Sequence, residues 1–142
     1  MTVYADSSFF VSCYLSDAHS HEADRRMVNA PDVFMSPFNR SELSVAIFRQ
    51  VFLKRVSLPV ANQAFASVEE DCRAGIWTVI PFPSSAWEAN VRLAKRFCHT
   101  LGSRTLDSLH VACALELKAD RFWTFDDRQA RLAEASGLDT RA

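Results

Sequence analysis

The chain has 142 residues, of which 49% are hydrophobic and 23% charged, and its formal net charge at pH 7 is −1. This length and hydrophobic content predict one domain, residues 1–142, that buries its own core. A net charge near zero excludes nucleic-acid binding driven by the chain as a whole, so any such contact must come from a local basic cluster. No apolar run approaches the ~20 residues that a membrane-spanning helix needs, and no signal peptide is recognisable. We therefore expect a cytoplasmic protein with no membrane partner.

The first predicted element is a short strand, Met1–Ala5, which ends at Asp6. A helix follows, and either Ser7 or Ser8 can cap it. An acid between a strand and the helix after it stands where open parallel sheets place their functional sites. Asp6 is therefore either a site residue or a helix cap.

A polar helix (Asp17–Asn29) and a brief strand (Val33–Ser36) come next, followed by a helix that begins near Asn39. Asn39 and Glu42 fit the looser form of the capping box, with asparagine at the cap and glutamate three residues later. Glu42 has two interpretations that this segment leaves open. It is either the capping-box partner of Asn39 or a carboxylate directed into a pocket.

A second long helix, about Leu58–Ala74, leads to the strand Ile76–Ile80 and then to a helix over Ala86–His99. The densest basic patch of the chain lies on and just after this last helix, at Arg92, Lys95, Arg96 and Arg104. A solvated helix surface explains most patches of this kind. This patch leads directly into an acid, Asp107, so a phosphate- or RNA-binding role is an equal alternative.

The most informative stretch begins at Asp107, which opens a helix that is apolar on nearly all sides and must therefore be buried. The strand Arg121–Phe125 follows after a three-residue connection, and two adjacent acids, Asp126 and Asp127, close it. A last helix, Asp127–Ser136, and a five-residue tail with room for one weak edge strand complete the chain. Strands that alternate with pairs of helices predict an α/β fold, with three α/β/α layers and a mainly parallel sheet of four or five strands.

Four carboxylates stand at strand ends or helix beginnings, where an open parallel sheet brings them to one crevice: Asp6, Glu42, Asp107 and Asp126. Capping explains each acid singly but not all four together, because two carboxylates ~4 Å apart repel by about 4 kcal/mol at an effective dielectric near 20. A hard divalent cation, Mg²⁺ or Mn²⁺, offsets such repulsion. Water bound to that cation is a nucleophile for attack on phosphorus.

Asp126 and Asp127 compete for the fourth position, because adjacent residues of an extended strand point to opposite sides. Thr124 shares the side of Asp126, whereas Phe125 shares that of Asp127 and, as a large apolar residue, is expected to face a packed helix. We therefore assign Asp126 to the metal site and Asp127 to the start of the last helix, where capping and the positive end of the helix dipole explain an acid.

Four strings, YADSSF, NRSELSVA, RTLDSLHVACAL and WTFDDR, follow one another along the chain. Together they resemble the four signatures of a PIN domain, and the length without a further domain is most similar to VapC-type toxins of bacterial toxin–antitoxin pairs. The resemblance implies metal-coordinating, catalytic acids at Asp6, Glu42, Asp107 and Asp126, with nearby hydroxyls at Ser7 and Thr124. His110 matches a family position too, but its place on an apolar helix favours a packed, hydrogen-bonded histidine.

The resemblance implies an Mg²⁺- or Mn²⁺-dependent endoribonuclease, the toxin of a type II pair, held inactive by a cognate antitoxin. Two alternatives within the family remain open: an RNA-processing nuclease that is not a toxin, and a silent domain that binds RNA or a partner. A phosphoryl-accepting receiver domain is disfavoured, because Pro81 follows the middle strand and Asp126 the last one, where that fold needs an aspartate and a lysine. Large apolar side chains on the third and fourth helices predict a groove for an antitoxin helix and a homodimer contact, at Phe48, Phe52, Leu53 and Phe65.

Overall fold

A four-stranded, wholly parallel sheet forms the centre of the computed structural model, which describes residues 1–29 and 31–142. The strands follow the spatial order β3-β2-β1-β4. Their bounds are β1 Thr2–Ala5, β2 Asp32–Met35, β3 Thr78–Val79 and β4 Arg121–Trp123. Val3 of β1 pairs with Val33 on one side and with Arg121 on the other. The predicted α/β class with a parallel sheet is confirmed.

Helices connect the strands and cover both sides of the sheet. Their bounds are α1 Ser7–Tyr14, α2 Ser20–Met27, α3 Pro37–Phe52, α4 Leu58–Ala74, α5 Ala86–Leu93, α6 His99–Leu101, α7 Thr105–Glu116 and α8 Asp127–Ala135. A π-helical segment, Ala94–Cys98, joins α5 to α6, so the single helix predicted there is interrupted. No helix within the described ranges is both long enough and apolar enough to cross a membrane.

The alternation of side chains along β1 divides the core into two layers. Val3 and Ala5 pack into the layer formed with α1, α3 and α4, whereas Tyr4 packs into the layer formed with α5, α7 and α8. Residues 108–114 of α7 are all buried, as its apolar sequence predicted. The three-layer α/β/α arrangement is therefore confirmed.

Strands β3 and β4 are shorter than predicted by two residues or more. β4 ends at Trp123, because after it the chain turns toward α1: the backbone N–H of Phe125 donates to Ser8 Oγ at 2.9 Å. β3 is limited to Thr78–Val79, which pairs with Phe34 and Met35 at the very end of β2.

The C-terminal tail forms no strand in the described chain, so the weak edge strand allowed by the sequence is absent there. The backbone N–H of Phe122 nevertheless donates to the Asp139 carbonyl at 2.8 Å, and Trp123 Nε1 donates to the Arg141 carbonyl at 3.1 Å. An irregular segment therefore covers the free edge of β4. Because the strands are parallel, their carboxyl ends all lie at one end of the sheet. Helices α1, α3 and α8 begin there.

Candidate active site

A cavity of about 490 Å³ brings together three of the four predicted acids, Glu42, Asp107 and Asp126. Two arginines, Arg104 and Arg128, also line it. The fourth acid, Asp6, is not among its lining residues. The crevice expected at the carboxyl end of the sheet is thus present, with acidic and basic groups on its walls.

Asp107 lies in the first turn of α7, whose N-cap is Arg104, so the helix begins two residues earlier than predicted. Burial raises the pKa of Asp107, and the nearby negative charges of Asp126 and Glu42 raise it further. Gln129 of α8 fixes the backbone here, because its Nε2 donates to the Asp107 carbonyl at 2.9 Å. The other two cavity acids therefore repel the charge of Asp107, as the sequence predicted for carboxylates gathered at one site.

Asp126 has both of the positions that the sequence predicted for two different residues, Asp126 and Asp127. It lines the cavity, and it is also the N-cap of α8: its Oδ1 accepts from the backbone N–H of Arg128 at 2.8 Å and of Gln129 at 3.3 Å. The prediction that Asp127 caps this helix is wrong, because Asp127 is already its first helical residue.

Glu42 lies in the second turn of α3 and takes no part in capping. The capping box is formed by Ser36 and Asn39 instead, since Pro37 starts the helix one turn earlier than predicted. Of the two interpretations of Glu42, the structure supports the carboxylate directed into a pocket. Ser7, at the start of α1, donates its hydroxyl hydrogen bond to Glu42 Oε1.

A buried hydrogen-bonded chain fixes the same Glu42 oxygen from the other side. His110 is 2% exposed; its Nε2 lies 2.7 Å from Glu42 Oε1 and its Nδ1 lies 2.8 Å from the Tyr4 hydroxyl. Burial by itself raises the pKa of Glu42, but the hydrogen bond and charge of His110 and the hydrogen bond from Ser7 lower it below its ordinary value. Glu42 is thus held as a carboxylate. The prediction of a packed, hydrogen-bonded His110 is confirmed.

Asp6 is enclosed beside the cavity and is 6% exposed. It is the N-cap of α1, with Oδ1 accepting from the backbone N–H groups of Ser8 and Phe9. Its Oδ2 accepts from the Thr124 hydroxyl at 2.6 Å. Burial raises the pKa of Asp6, while the charge of His110 and the hydrogen bonds from Ser8 and Thr124 oppose that rise.

Two hydroxyls connect Asp6 to the residues after β4. Thr124 Oγ1, which donates to Asp6, accepts from the backbone N–H of Asp126 at 2.9 Å. Ser8 Oγ donates to Asp6 Oδ1 at 2.6 Å and accepts from Phe125 N–H at 2.9 Å. Ser8 was not among the predicted supporting residues, although it stands two residues after Asp6, the spacing at which a cap meets its own helix. Ser7 donates to Glu42 and Thr124 donates to Asp6, so each of the two predicted hydroxyls lies against one of the predicted acids.

The oxygen donors of the cavity match the chemistry of Mg²⁺ or Mn²⁺. Among the described residues, no group of three Asp, Glu, His or Cys side chains is arranged to hold one ion. Mg²⁺ does not need such a cage, because it binds proteins through one or two carboxylates and keeps several of its waters. Both ring nitrogens of His110 are engaged, so the donors left are carboxylates, the ligands that hard cations prefer.

The four residues of the predicted basic patch do not lie together. Arg104 lines the acidic cavity, and Arg128, which the sequence analysis did not select, lines it as well. Arg92 and Arg96 line a different cavity, of about 330 Å³, and Arg92 lies 3.5 Å from Glu116. Lys95 is exposed on the π-helical segment. Of the predicted patch, only Arg104 is placed to meet a phosphate at the acids.

Comparisons with known proteins agree with this architecture. The family model for the PIN domain matches residues 3–135. A search of curated protein sequences finds no significant match. Among solved structures, VapC20 of Mycobacterium tuberculosis, described as a sarcin-ricin loop cleaving toxin, superposes with a TM-score of 0.71 at 18% identity, covering 96% of this chain and 95% of its own.

Two further solved structures share the fold. VapBC2 of Rickettsia felis, bound to a DNA fragment from its promoter, gives a TM-score of 0.70 at 12% identity over 99% of this chain and 98% of the other. FitAcB of Neisseria gonorrhoeae gives 0.65 at 12% identity over 99% and 96%. With its acids gathered at the carboxyl end of a parallel sheet and a family model that spans nearly its whole length, the chain belongs to the PIN domain family.

Proposed function

We propose that this protein is a divalent-metal-dependent endoribonuclease, and that it acts as the toxin of a type II toxin–antitoxin pair. One observation carries the nuclease part of the proposal. Three carboxylates, Glu42, Asp107 and Asp126, line a single cavity whose walls also carry two arginines. Acids alone repel an RNA phosphate, whereas acids that hold a cation beside arginines attract it.

The acids and the arginines of the cavity would have different roles. One or two of Glu42, Asp107 and Asp126 would bind Mg²⁺ or Mn²⁺ directly, and a bound cation supplies a more acidic water as the nucleophile for phosphodiester hydrolysis. Arg104 and Arg128 would bind phosphate oxygens and orient the scissile bond. Asp6 would complete the acid set from its enclosed position, through Thr124 and the backbone of Asp126.

The toxin assignment rests on the fold shared with VapC20, whose description is that of an RNA-cleaving toxin. We propose an antitoxin protein as the partner, with RNA as the substrate. Exposed apolar side chains on α3 and α4 support a docking surface for an antitoxin helix and a homodimer contact: Val45, Phe52, Leu58 and Val60.

The residues of this surface are not the same as those predicted from the sequence to form the groove. Phe52 is 82% exposed, as that prediction required. Phe48 and Phe65 instead contact each other, with ring centroids 6.1 Å apart, and pack against the core. Leu53 is half-buried. The apolar surface is therefore centred on Phe52.

Cleavage of structured RNA by the purified protein tests the proposal. We expect cutting with Mg²⁺ or Mn²⁺, none with EDTA, and none from Asp107→Asn or Glu42→Gln. Asp127→Asn is the matched control, since Asp127 adjoins a cavity acid without lining the cavity, and it should cut normally. Binding of RNA without metal-dependent cutting would support the silent domain instead. Cutting without growth arrest on expression would support an RNA-processing nuclease.

A further inference from the structure

A second cavity, of about 450 Å³, adjoins the acidic one and has no role in the proposed chemistry. The two share Asp126 as a lining residue. They are also joined by a hydrogen bond, because Ser7 lines the second cavity and donates to Glu42, which lines the first. A chain molecule whose phosphate occupies the acidic cavity therefore extends directly into the second one.

Two flat rings form a stack in this second cavity. The imidazole of His19 lies parallel to the ring of Phe125, with centroids 4.5 Å apart and planes inclined by 7°. His19 is exposed and Phe125 half-buried, and both line the cavity. A third flat ring can extend a stack of this kind, because stacking on aromatic side chains is the general means by which proteins hold single-stranded bases.

Phe125 and the backbone of His19 are held in place without any ligand. Phe125 contacts the fully buried Phe9, with centroids 5.8 Å apart, and the Arg26 guanidinium lies 5.3 Å from its ring centre. The backbone of His19 is held by Asp17, whose Oδ1 accepts from His19 N–H at 2.8 Å. A fixed platform loses little side-chain entropy on binding.

Polar groups beside the rings provide partners for the edge of a base. Ser12 lines the cavity and is 3% exposed, and its hydroxyl donates to Asp17 Oδ2 at 2.8 Å. Asp17, also on the cavity wall and exposed, retains acceptor capacity for an exocyclic amino group. The wall thus combines one stacking surface with hydrogen-bonding groups, the two features that single-stranded RNA recognition requires.

We propose that this second cavity is a nucleobase subsite, which stacks a base of the RNA next to the phosphate held at the acids. The inference rests on the proposed ribonuclease function and adds to it a surface that positions the strand. It assigns His19 and Phe125 to substrate binding. The other explanation of the stack is structural, with His19 attaching the start of α2 to the sheet.

The test is RNA binding measured without cleavage. A short single-stranded RNA with a fluorescent end label is titrated with the full-length protein carrying Asp107→Asn, in Mg²⁺, so that the remaining acids can hold a cation while the RNA stays uncut. A series of the same RNA in which one position at a time is abasic follows, and the variants below are made in the same background. The cleavage position is mapped separately with Mg²⁺. We expect the abasic position adjoining the cleaved bond to weaken binding most, by about fivefold or more.

Three variants separate stacking from charge and from stability. His19→Ala should weaken binding of the intact RNA by about fivefold or more and should remove the effect of the abasic position. His19→Phe keeps the flat ring without the imidazole nitrogens and should retain binding. His21→Ala, on the same exposed helix, is the control and should bind like the parent. The side chain of His19 makes no capping hydrogen bond to α2, so its removal leaves that helix capped as before.

The outcomes distinguish the two proposals. If the protein cuts RNA but His19→Ala binds and responds to abasic positions like the parent, the subsite is overturned while the ribonuclease function stands. Melting of His19→Ala well below the parent, with RNA affinity unchanged, would establish the structural explanation and also overturn the subsite. If base-dependent binding is found without any cutting, the subsite stands and the nuclease proposal fails. Absence of RNA binding overturns the subsite.

Discussion

The enclosed and the open sides of the site use the same kind of residue in opposite ways. On the enclosed side, the carboxylate of Asp6 accepts hydrogen bonds from its own helix and from Thr124, and these donors oppose the rise in its pKa that burial causes. On the open side, the charges of Asp126 and Glu42 act against Asp107 and raise its pKa beyond the effect of burial. The pKa of both carboxyls is raised by burial, but hydrogen bonds oppose the rise for Asp6, whereas neighbouring charges add to it for Asp107.

Replacing Asp107 should give the largest effect on activity and a gain in stability. Asp107→Asn should lower RNA cleavage by more than about a hundredfold, since even residues that only support metal ligands contribute 10- to 100-fold. The same variant should melt at a higher temperature than the parent when both are free of metal, because it removes a repelling charge. Cleavage assays and thermal denaturation in EDTA measure the two effects.

The gain in stability should depend on pH in a defined direction. The pKa of Asp107 is raised in the folded protein, so the folded state resists losing this proton, and the ionised group costs stability above its folded pKa. That cost is absent below the ordinary aspartate pKa of about 3.9. Asp107→Asn should therefore raise the melting temperature at pH 7 and leave it unchanged near pH 3. An equal gain at both pH values would contradict the repulsion argument.

Removing the enclosed acid should have the reverse effect on stability. Asp6→Ala leaves the donors of Ser8, Phe9 and Thr124 without their acceptor, at a cost on the order of 2–3 kcal/mol in the free energy of unfolding. Asp6→Asn keeps a cap oxygen and should stay close to the parent in stability while losing activity. Urea denaturation measures the difference. If Asp6→Ala were as stable as the parent, the contrast between the two sides would not hold.

The hydrogen-bonded chain behind Glu42 should give a smaller effect, visible in activity. Tyr4→Phe removes the partner of His110 Nδ1, so the tautomer that donates to Glu42 is no longer fixed. We expect cleavage to fall about tenfold and stability by about 1 kcal/mol. Tyr14→Phe is the matched control: its hydroxyl donates to Asp71 at 2.6 Å and neither residue lines the acidic cavity, so it should lose similar stability and retain activity. Equal activities of the two variants would show that the hydrogen bond between Tyr4 and His110 does not support cleavage through Glu42.

Elements bounded by local signals were predictable from the sequence. Helix α4 runs over Leu58–Ala74 as predicted, because Ser57 caps it, Pro59 lies in its first turn and Gly75 ends it with a positive φ of 77°. The convergence of Glu42 and Asp126 was also predictable, because both follow parallel strands whose ends share one end of the sheet, whereas Asp107 begins a helix that follows another helix.

Features fixed by distant contacts were not predictable. β4 ends at Trp123 because Thr124 and Phe125 bond to Asp6 and Ser8, more than a hundred residues earlier, and no local pattern encodes that end. The prediction that Asp126 and Phe125 point to opposite sides assumed that the strand continues through both residues, whereas β4 ends at Trp123. Phe125 accordingly lies against His19 at a cavity rather than only against a helix.

The smallest expected effect separates the two adjacent acids after β4. Asp126 caps α8 and also lines the cavity, whereas Asp127 is the first residue of the helix and contributes through its charge near the positive end of the helix dipole. Asp126→Ala should therefore cost about 1 kcal/mol of stability as well as activity, while Asp126→Asn keeps the cap and loses only activity. Asp127→Ala should cost a few tenths of a kcal/mol and cut RNA normally.

Denaturation and cleavage assays on the three variants form one experiment. A stability loss confined to Asp127→Ala would restore the capping role first predicted for that residue, and an activity loss confined to it would move the fourth ligand there.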